Sequence, residues 1–295
     1  MDRLEWRELP ERVRAAVRDQ CGADIVGAET PGAGRNSHFA ATLCLADGGR
    51  VFCKGVAADS GSARMHRREA EINRWLPALA PRVLWQIEEV GWLVLGFEHV
   101  AGRHADFAPG SPDLQLVAET LTTTAGKLSP WPGPRVPAYT EKMARTTAWQ
   151  MLRDDPPTSL DPWTRANLDL FVALEPVAAE LVAGDTLVHT DVHELNLLIN
   201  DSAHLVDWAW AHHAAPWVDT AFVVIRLIQA GHSPEQAEEW AAGIDAWRAA
   251  PPTAVTAFAA EIYGMWEYLR HTRPLPIREG PTQAARLWAR HRAEM

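Results

Sequence analysis

Residues 187–199 read LVHTDVHELNLLI: a short apolar run, an aspartate between two histidines, an asparagine, and a second apolar run. Apolar runs this short, bounded by polar residues, suit strands better than helices, so the polar residues between them belong to a loop. A strand pair turning at Asn200 and Asp201 follows and ends at Asp207. His189-x-Asp191, then Asn196, then an aspartate at a strand end is the order in which phosphoryl-transfer sites carry their polar groups. A carboxylate at the loop apex accepts the proton of a substrate hydroxyl and aims its oxygen for in-line attack. An asparagine carbonyl and a second carboxylate suit magnesium held on phosphates, since Mg2+ takes hard oxygen ligands. His189 is expected to support the loop by hydrogen bonds.

Outward from that loop, the two halves of the chain differ. Residues 24–30, 37–46, 51–56, 82–87 and 91–100 are short runs rich in β-formers, and Asp47-Gly48 between the second and third supplies the positive φ of a tight hairpin. A helix is expected over 62–76, ended by Pro77, and an amphipathic helix over 5–18. Residues 101–112 are rich in Gly, Pro and Ala and read as a connector. Beyond them helices are expected at 113–128, 162–184, 216–231, 233–244, 253–272 and 281–292, with a Pro-rich surface loop near 129–137.

The 295 residues suffice for one large domain or two unequal ones with their own cores. Three cysteines, Cys21, Cys44 and Cys53, form no CxxC pair and point to a reducing cytoplasm. The charged opening MDRLEWRELPERVRAAVRDQ lacks the apolar core of a signal peptide, and no later run is long enough to span a bilayer. A soluble protein with no membrane partner is expected. The formal net charge of −10 argues against a nucleic-acid partner and favours cationic molecules.

The loop HTDVHELN and the later LVDWAW resemble the aminoglycoside phosphotransferase family, whose usual pattern is H-G-D-x-H-x-x-N followed by an aspartate. Thr190 stands where that pattern has glycine. The resemblance extends over nearly the whole chain. It implies an α+β, protein-kinase-like two-lobed fold, with a small antiparallel-sheet N-lobe carrying one helix and a larger, mainly helical C-lobe. The expected division is 1–98 for the nucleotide-binding lobe, 99–104 for the hinge and 105–295 for the helical lobe with the catalytic loop and acceptor site. By the same resemblance Asp191 is the catalytic base, and Asn196 and Asp207 hold magnesium. Lys54 on the third strand holds the α- and β-phosphates of ATP or GTP, and Glu69 on the helix fixes that lysine, with Glu71 as the neighbouring alternative. In PGAGRNS, backbone N–H groups and Asn36 or Ser37 cover the phosphates. The hinge residues Glu98 and Val100 offer main-chain groups to the base, and Asp219 in PWVDTAF is structural.

Taken singly, each residue has an ordinary explanation. A strand lysine is usually a solvated edge residue, a helix glutamate beside Arg67 and Arg68 a solvated face, and an aspartate or asparagine a turn residue. Their order along the chain is what gives them meaning together. A metallohydrolase built from His189, Asp191, His193 and the pair His212–His213 is the competing arrangement, and it leaves Lys54 and Glu69 without a role. The expected activity is transfer of a γ-phosphate to a hydroxyl of a small, cationic acceptor such as an aminoglycoside, with choline, homoserine or sugar acceptors as alternatives. Candidate acceptor contacts are Asp154, Asp155, Glu261, Glu267 and Trp266.

Overall fold

The computed structural model describes residues 3–32, 37–145 and 147–295. The chain divides into two compact units: residues up to 105 together with 195–210, and residues 106–194 together with 211–295.

In the first unit the expected opening helix is two pieces, a 3-10 turn at Trp6–Glu8 and α1 at Glu11–Cys21. Pro10 separates them, because it has no N–H to continue a helix and its fixed φ suits a helix start. The strands β1 (Ile25–Glu29), β2 (Phe39–Leu45), β3 (Arg50–Ala57), β4 (Val83–Glu89) and β5 (Trp92–Glu98) form one antiparallel sheet in the order β1-β2-β3-β5-β4. The β2–β3 turn has Gly48 at φ 89°, and the Asp47 carboxylate accepts the Gly49 N–H at 2.8 Å. Strand alternation buries both faces of this sheet. Phe39, Ala41, Leu43, Cys53 and Val94 pack with Val13 and Val17 of α1, whereas Val56, Leu93, Leu95 and Phe97 pack with Ala63. Ala63 lies on α2 (Gly61–Asn73), whose N-cap Ser60 accepts the Ala63 N–H. A short strand β6 (Arg103–His104) follows.

The second unit contains α3 (Asp113–Lys127), α4 (Tyr139–Met143), α5 (Ala148–Asp154), α6 (Pro162–Ala166), α7 (Leu168–Leu181) and β7 (Thr186–Val188). The helix expected over 162–184 breaks at Asn167, whose side chain donates to the Trp163 carbonyl. The chain then enters the first unit for β8 (Leu197–Ile199) and β9 (Ala203–Leu205), with β8 pairing between β6 and β9. Back in the second unit, β10 (His212–Ala214) pairs antiparallel with β7. The helices α8 (Val218–Gln229), α9 (Pro234–Ala241), α10 (Asp245–Arg248), α11 (Pro252–Thr272) and α12 (Glu279–Ala293) complete it. Among the described residues, no helix is long and apolar enough to cross a membrane.

The helical core centres on Trp149 of α5. Its ring stacks on Phe171 at 4.4 Å, meets Tyr263 edge-on at 5.1 Å, and donates its indole N–H to the Ala260 carbonyl at 2.9 Å. Such closeness requires Gly264 on α11, where an added Cβ would stand 2.3 Å from the indole nitrogen. Gly264→Ala should therefore destabilise the protein by about 1–3 kcal/mol, the cost of overpacking. Thermal unfolding would register this as a lower Tm; an unchanged Tm would mean that Trp149 is free to shift.

Candidate active site

Lys54 is the centre of the polar cluster in the first unit. It projects from β3, its residue only 5 % exposed, beside Glu69 of α2 at 1 %. The ammonium lies 2.9 and 2.7 Å from the two Glu69 oxygens, the first contact aligned as a hydrogen bond and the second an ion pair. It also donates to Asp207 Oδ1 at 2.5 Å. Burial by itself would depress the lysine pKa, but Asp207 and Glu69 outweigh it and raise it. Burial likewise pushes the Glu69 carboxyl up, opposed by the Lys54 charge and by the Trp208 N–H, which donates to Glu69 Oε1 at 3.0 Å. One cation thus holds two carboxylates from a helix and from a segment about 150 residues away, and the backbone after Asp207 closes the group. Glu71, the neighbouring alternative, is exposed.

Asn196 sits 7 % exposed at the start of β8, and its carbonyl accepts the Val206 N–H at 2.9 Å. Asn196 and Asp207, the residue after Val206, therefore lie on hydrogen-bonded neighbouring backbone. One carboxylate and one amide oxygen form a hard, incomplete donor set, which fits a magnesium ion that takes its remaining ligands from phosphates and water. Among the described residues, no group of three or more His, Cys, Asp or Glu gathers as a metal cage.

Ser37 stands two residues before β2, and its hydroxyl lies 3.2 Å from Nε2 of His66 on α2. Asn36 lies outside the described residues. Glu98 and Val100 border an open cavity of about 410 Å3 that Ala78, Pro81, Asn200 and His204 also line. Lys54, Glu69 and Asp207 do not line it. The Glu98 backbone N–H donates to Arg82 O and its carboxylate accepts the Arg82 N–H, so this end of β5 is tied to the turn before β4.

Asp191 belongs to the second unit, on a loop held from below by Asp219. The Asp219 carboxylate accepts the N–H of His189 at 2.8 Å and that of Thr190 at 2.9 Å. Burial pushes its pKa up to about 6 against the pull of these two donors. Thr190 has φ 60°, a left-handed conformation costly for a β-branched residue, and its hydroxyl lies 3.3 Å from His212 Nδ1. Asp207 is also left-handed, at φ 64°. His189 is fully buried, and its Nδ1 accepts the Asp191 N–H at 3.3 Å; His193 Nε2 stands 3.8 Å from the Asp191 carboxylate.

Several groups around Asp191 escaped the sequence pattern. Buried Tyr139 stands edge-on to His212 at 5.6 Å, and burial raises its pKa, followed by the charges of Glu261, Asp219 and Asp191. The Lys142 ammonium lies 5.3 Å from the Tyr139 ring, and Arg226 stacks over Trp266 at 5.3 Å. Burial lowers the pKa of both cations, opposed by Asp191 at Lys142 and by Glu194 and Asp191 at Arg226. Nothing in their local sequence marks them, because the fold alone brings them near the loop. Of the acids suggested from sequence, Asp154 and Asp155 are exposed, and Glu267 is engaged by Arg270 at 2.7 Å and His271 at 3.0 Å. Glu261 is 2 % exposed, with its Oε2 lacking a hydrogen-bond partner. Burial and then the nearby Glu175 push its pKa up to about 8.

The phosphotransferase enzyme family matches residues 38–253. No curated protein matches the sequence. An aminoglycoside phosphotransferase from Alicyclobacillus acidocaldarius is similar in structure, with TM-score 0.62 and 18% identity over 99% of this chain and 96% of that one. Aminoglycoside 2'-phosphotransferase-IIIa, solved as its GDP complex, gives TM-score 0.64 and 14% identity over 97% and 99% of the two chains. A thermostable aminoglycoside phosphotransferase mutant, solved with ADP and hygromycin B, gives 0.61 and 17% over 96% of each chain. At such identities these likenesses establish the fold, a protein-kinase-like one, while the family match spans most of the sequence. The chain belongs to the phosphotransferase enzyme family, as an enzyme that passes phosphate to a hydroxyl acceptor.

Proposed function

We propose that this enzyme moves the γ-phosphate of ATP or GTP to a hydroxyl of a small cationic acceptor, with aminoglycosides and related amine-bearing antibiotics as the leading class. The observation that carries the nucleotide half is the Lys54–Glu69–Asp207 cluster, a buried cation fixed by a buried and a partly exposed carboxylate. Lys54 neutralises the α- and β-phosphates while Glu69 keeps its ammonium in place. Asn196 and Asp207 would hold magnesium, which would neutralise charge on the nucleotide phosphates. Main-chain groups of Glu98 and Val100 receive the base. Asp191 accepts the proton of the acceptor hydroxyl as its oxygen bonds to the γ-phosphorus; the bond from that phosphorus to the bridging oxygen breaks, and the nucleoside diphosphate leaves. Such an enzyme would act in the cytoplasm, and an antibiotic acceptor would make it a resistance determinant.

The cationic half rests on Glu261. A buried carboxyl with an unpartnered oxygen beside a second acid is held as the neutral acid, and an acceptor ammonium would draw it into the ionised form. Hygromycin B, an aminoglycoside, occupies one of the similar enzymes. Lys142 and Arg226 near Asp191 favour a second acceptor class that also carries a carboxylate, as homoserine does.

Asp191→Asn keeps the shape of the loop but removes the base, so kcat should fall about a thousandfold with nucleotide affinity unchanged. Asp219→Ala strands two buried N–H groups and should cost about 3 kcal/mol of stability as well as turnover. Steady-state kinetics on acceptors, with product identified by mass, checks both; an Asp191→Asn enzyme of near-normal kcat would place the base elsewhere. For Glu261 the sign is fixed by its raised pKa. The ionised form that binds an ammonium grows as pH rises toward 8, so the acceptor KM should fall between pH 6 and pH 8. Glu261→Gln should raise that KM and flatten its pH dependence while sparing the nucleotide KM. A panel of aminoglycosides, macrolides, choline, homoserine and sugars identifies the acceptor, and phosphorylation of uncharged sugars alone would contradict the cationic class.

A further inference from the structure

His66 is a buried imidazole that no step above uses. It is 2 % exposed, on α2 three residues before Glu69, a spacing that makes the two neighbours on the helix. Its Nδ1 lies 3.0 Å from the Ser62 carbonyl. A carbonyl only accepts, so Nδ1 carries the ring proton. Burial, reinforced by the Lys54 charge, pushes the pKa down to about 4, so the ring is neutral and Nε2 keeps its lone pair. Across 3.2 Å, Ser37 Oγ–H must then be the donor to Nε2. The next residue, His38, is tied as well: its Nδ1 accepts the Ala57 N–H at 3.2 Å, and its carbonyl accepts the Leu4 N–H at 2.8 Å. The stretch leading into β2 is thus fastened to α2 and to β3, the two elements that carry Glu69 and Lys54.

We propose that His66 is a positioning residue for nucleotide binding: by accepting the Ser37 hydroxyl proton, it couples the end of the β1–β2 loop to the helix that holds Glu69. The inference rests on the nucleotide site placed around Lys54. It gives Ser37 a role distinct from direct phosphate contact, because its one hydroxyl proton is committed to the imidazole and its oxygen is left to accept. Ser37 and the Lys54–Glu69 pair are thereby held to one helix, α2.

Calorimetric titration of MgATP and MgGTP needs no acceptor and tests this on the intact protein. Ser37→Ala, a change on a partly exposed side chain that leaves the core untouched, should weaken binding roughly three- to tenfold, the scale of one hydrogen bond. His66→Leu should weaken it by the same factor, and the double variant by no more than either single one. His66→Gln, whose amide oxygen can accept from Ser37, should recover most of the loss. Independent, multiplying losses would overturn the coupling, as would a Gln variant no better than Leu or wild-type affinity in Ser37→Ala. The site and the coupling fail differently. A wild type that binds neither nucleotide overturns the site placed around Lys54 and this inference with it, whereas binding lost in Lys54→Ala but intact in Ser37→Ala overturns the inference alone.

Discussion

A lysine ammonium buried at 5 % exposure is tenable only if the charge it carries is answered on the spot, and Glu69 and Asp207 answer it at 2.5–2.9 Å. Removing the Glu69 carboxylate and the Lys54 ammonium from water is costly, while the Asp207 side chain stays 30% exposed, and breaking a buried pair by deleting one member typically costs several kcal/mol. The first unit is organised around that constraint. β3 must present Lys54, α2 must dock so that Glu69 reaches it, and residues 195–210 must join this unit so that Asp207 does too. Backbone contacts secure the third arrival: Leu205 N–H to the Leu79 carbonyl, Ala105 N–H to the Leu197 carbonyl, and Trp208 N–H to Glu69 itself.

The second unit solves a different problem, that of holding a short loop in a conformation the chain would not choose. Thr190 at φ 60° is disfavoured, and the Asp219 carboxylate compensates by accepting the two N–H groups that this bend directs inward. Strained backbone persists where surrounding structure over-determines it, and such places concentrate at functional sites. Thr190 and Asp207, two of three described non-glycine residues with positive φ, adjoin or constitute the residues assigned here to chemistry.

The sheet was legible because short runs rich in β-formers and the Asp47-Gly48 turn are local signals, although β2 and β3, buried on both faces, show little alternation. Lys54, Glu69, Asp191, Asn196 and Asp207 were legible as candidates from their order; Lys54 meets Glu69 as expected, and its ion pair with Asp207 is a contact that the order did not announce. Other features depend on packing that no local pattern encodes. Asn167 interrupts a continuous apolar run, and the short helices α4 and α5 carry too few turns for periodicity to show, whereas the break at Pro10 was a local signal that the amphipathic pattern over 5–18 overrode. His66, Tyr139, Lys142 and Arg226 look ordinary in sequence because their partners come from other elements. The acids at 154, 155, 261 and 267 were indistinguishable as letters; burial and pairing separate Glu261 from the rest.

If Asp207 and Lys54 hold one another until nucleotide arrives, a triphosphate without magnesium meets the Asp207 carboxylate uncompensated. ATP titrated calorimetrically into the wild type with magnesium and again under EDTA tests this directly. The account predicts binding at least about tenfold tighter with magnesium, since like charges a few ångströms apart cost over 1 kcal/mol even near a protein surface. It predicts also that Asp207→Asn narrows the gap by improving the EDTA value. Equal affinity in magnesium and EDTA for the wild type would contradict it.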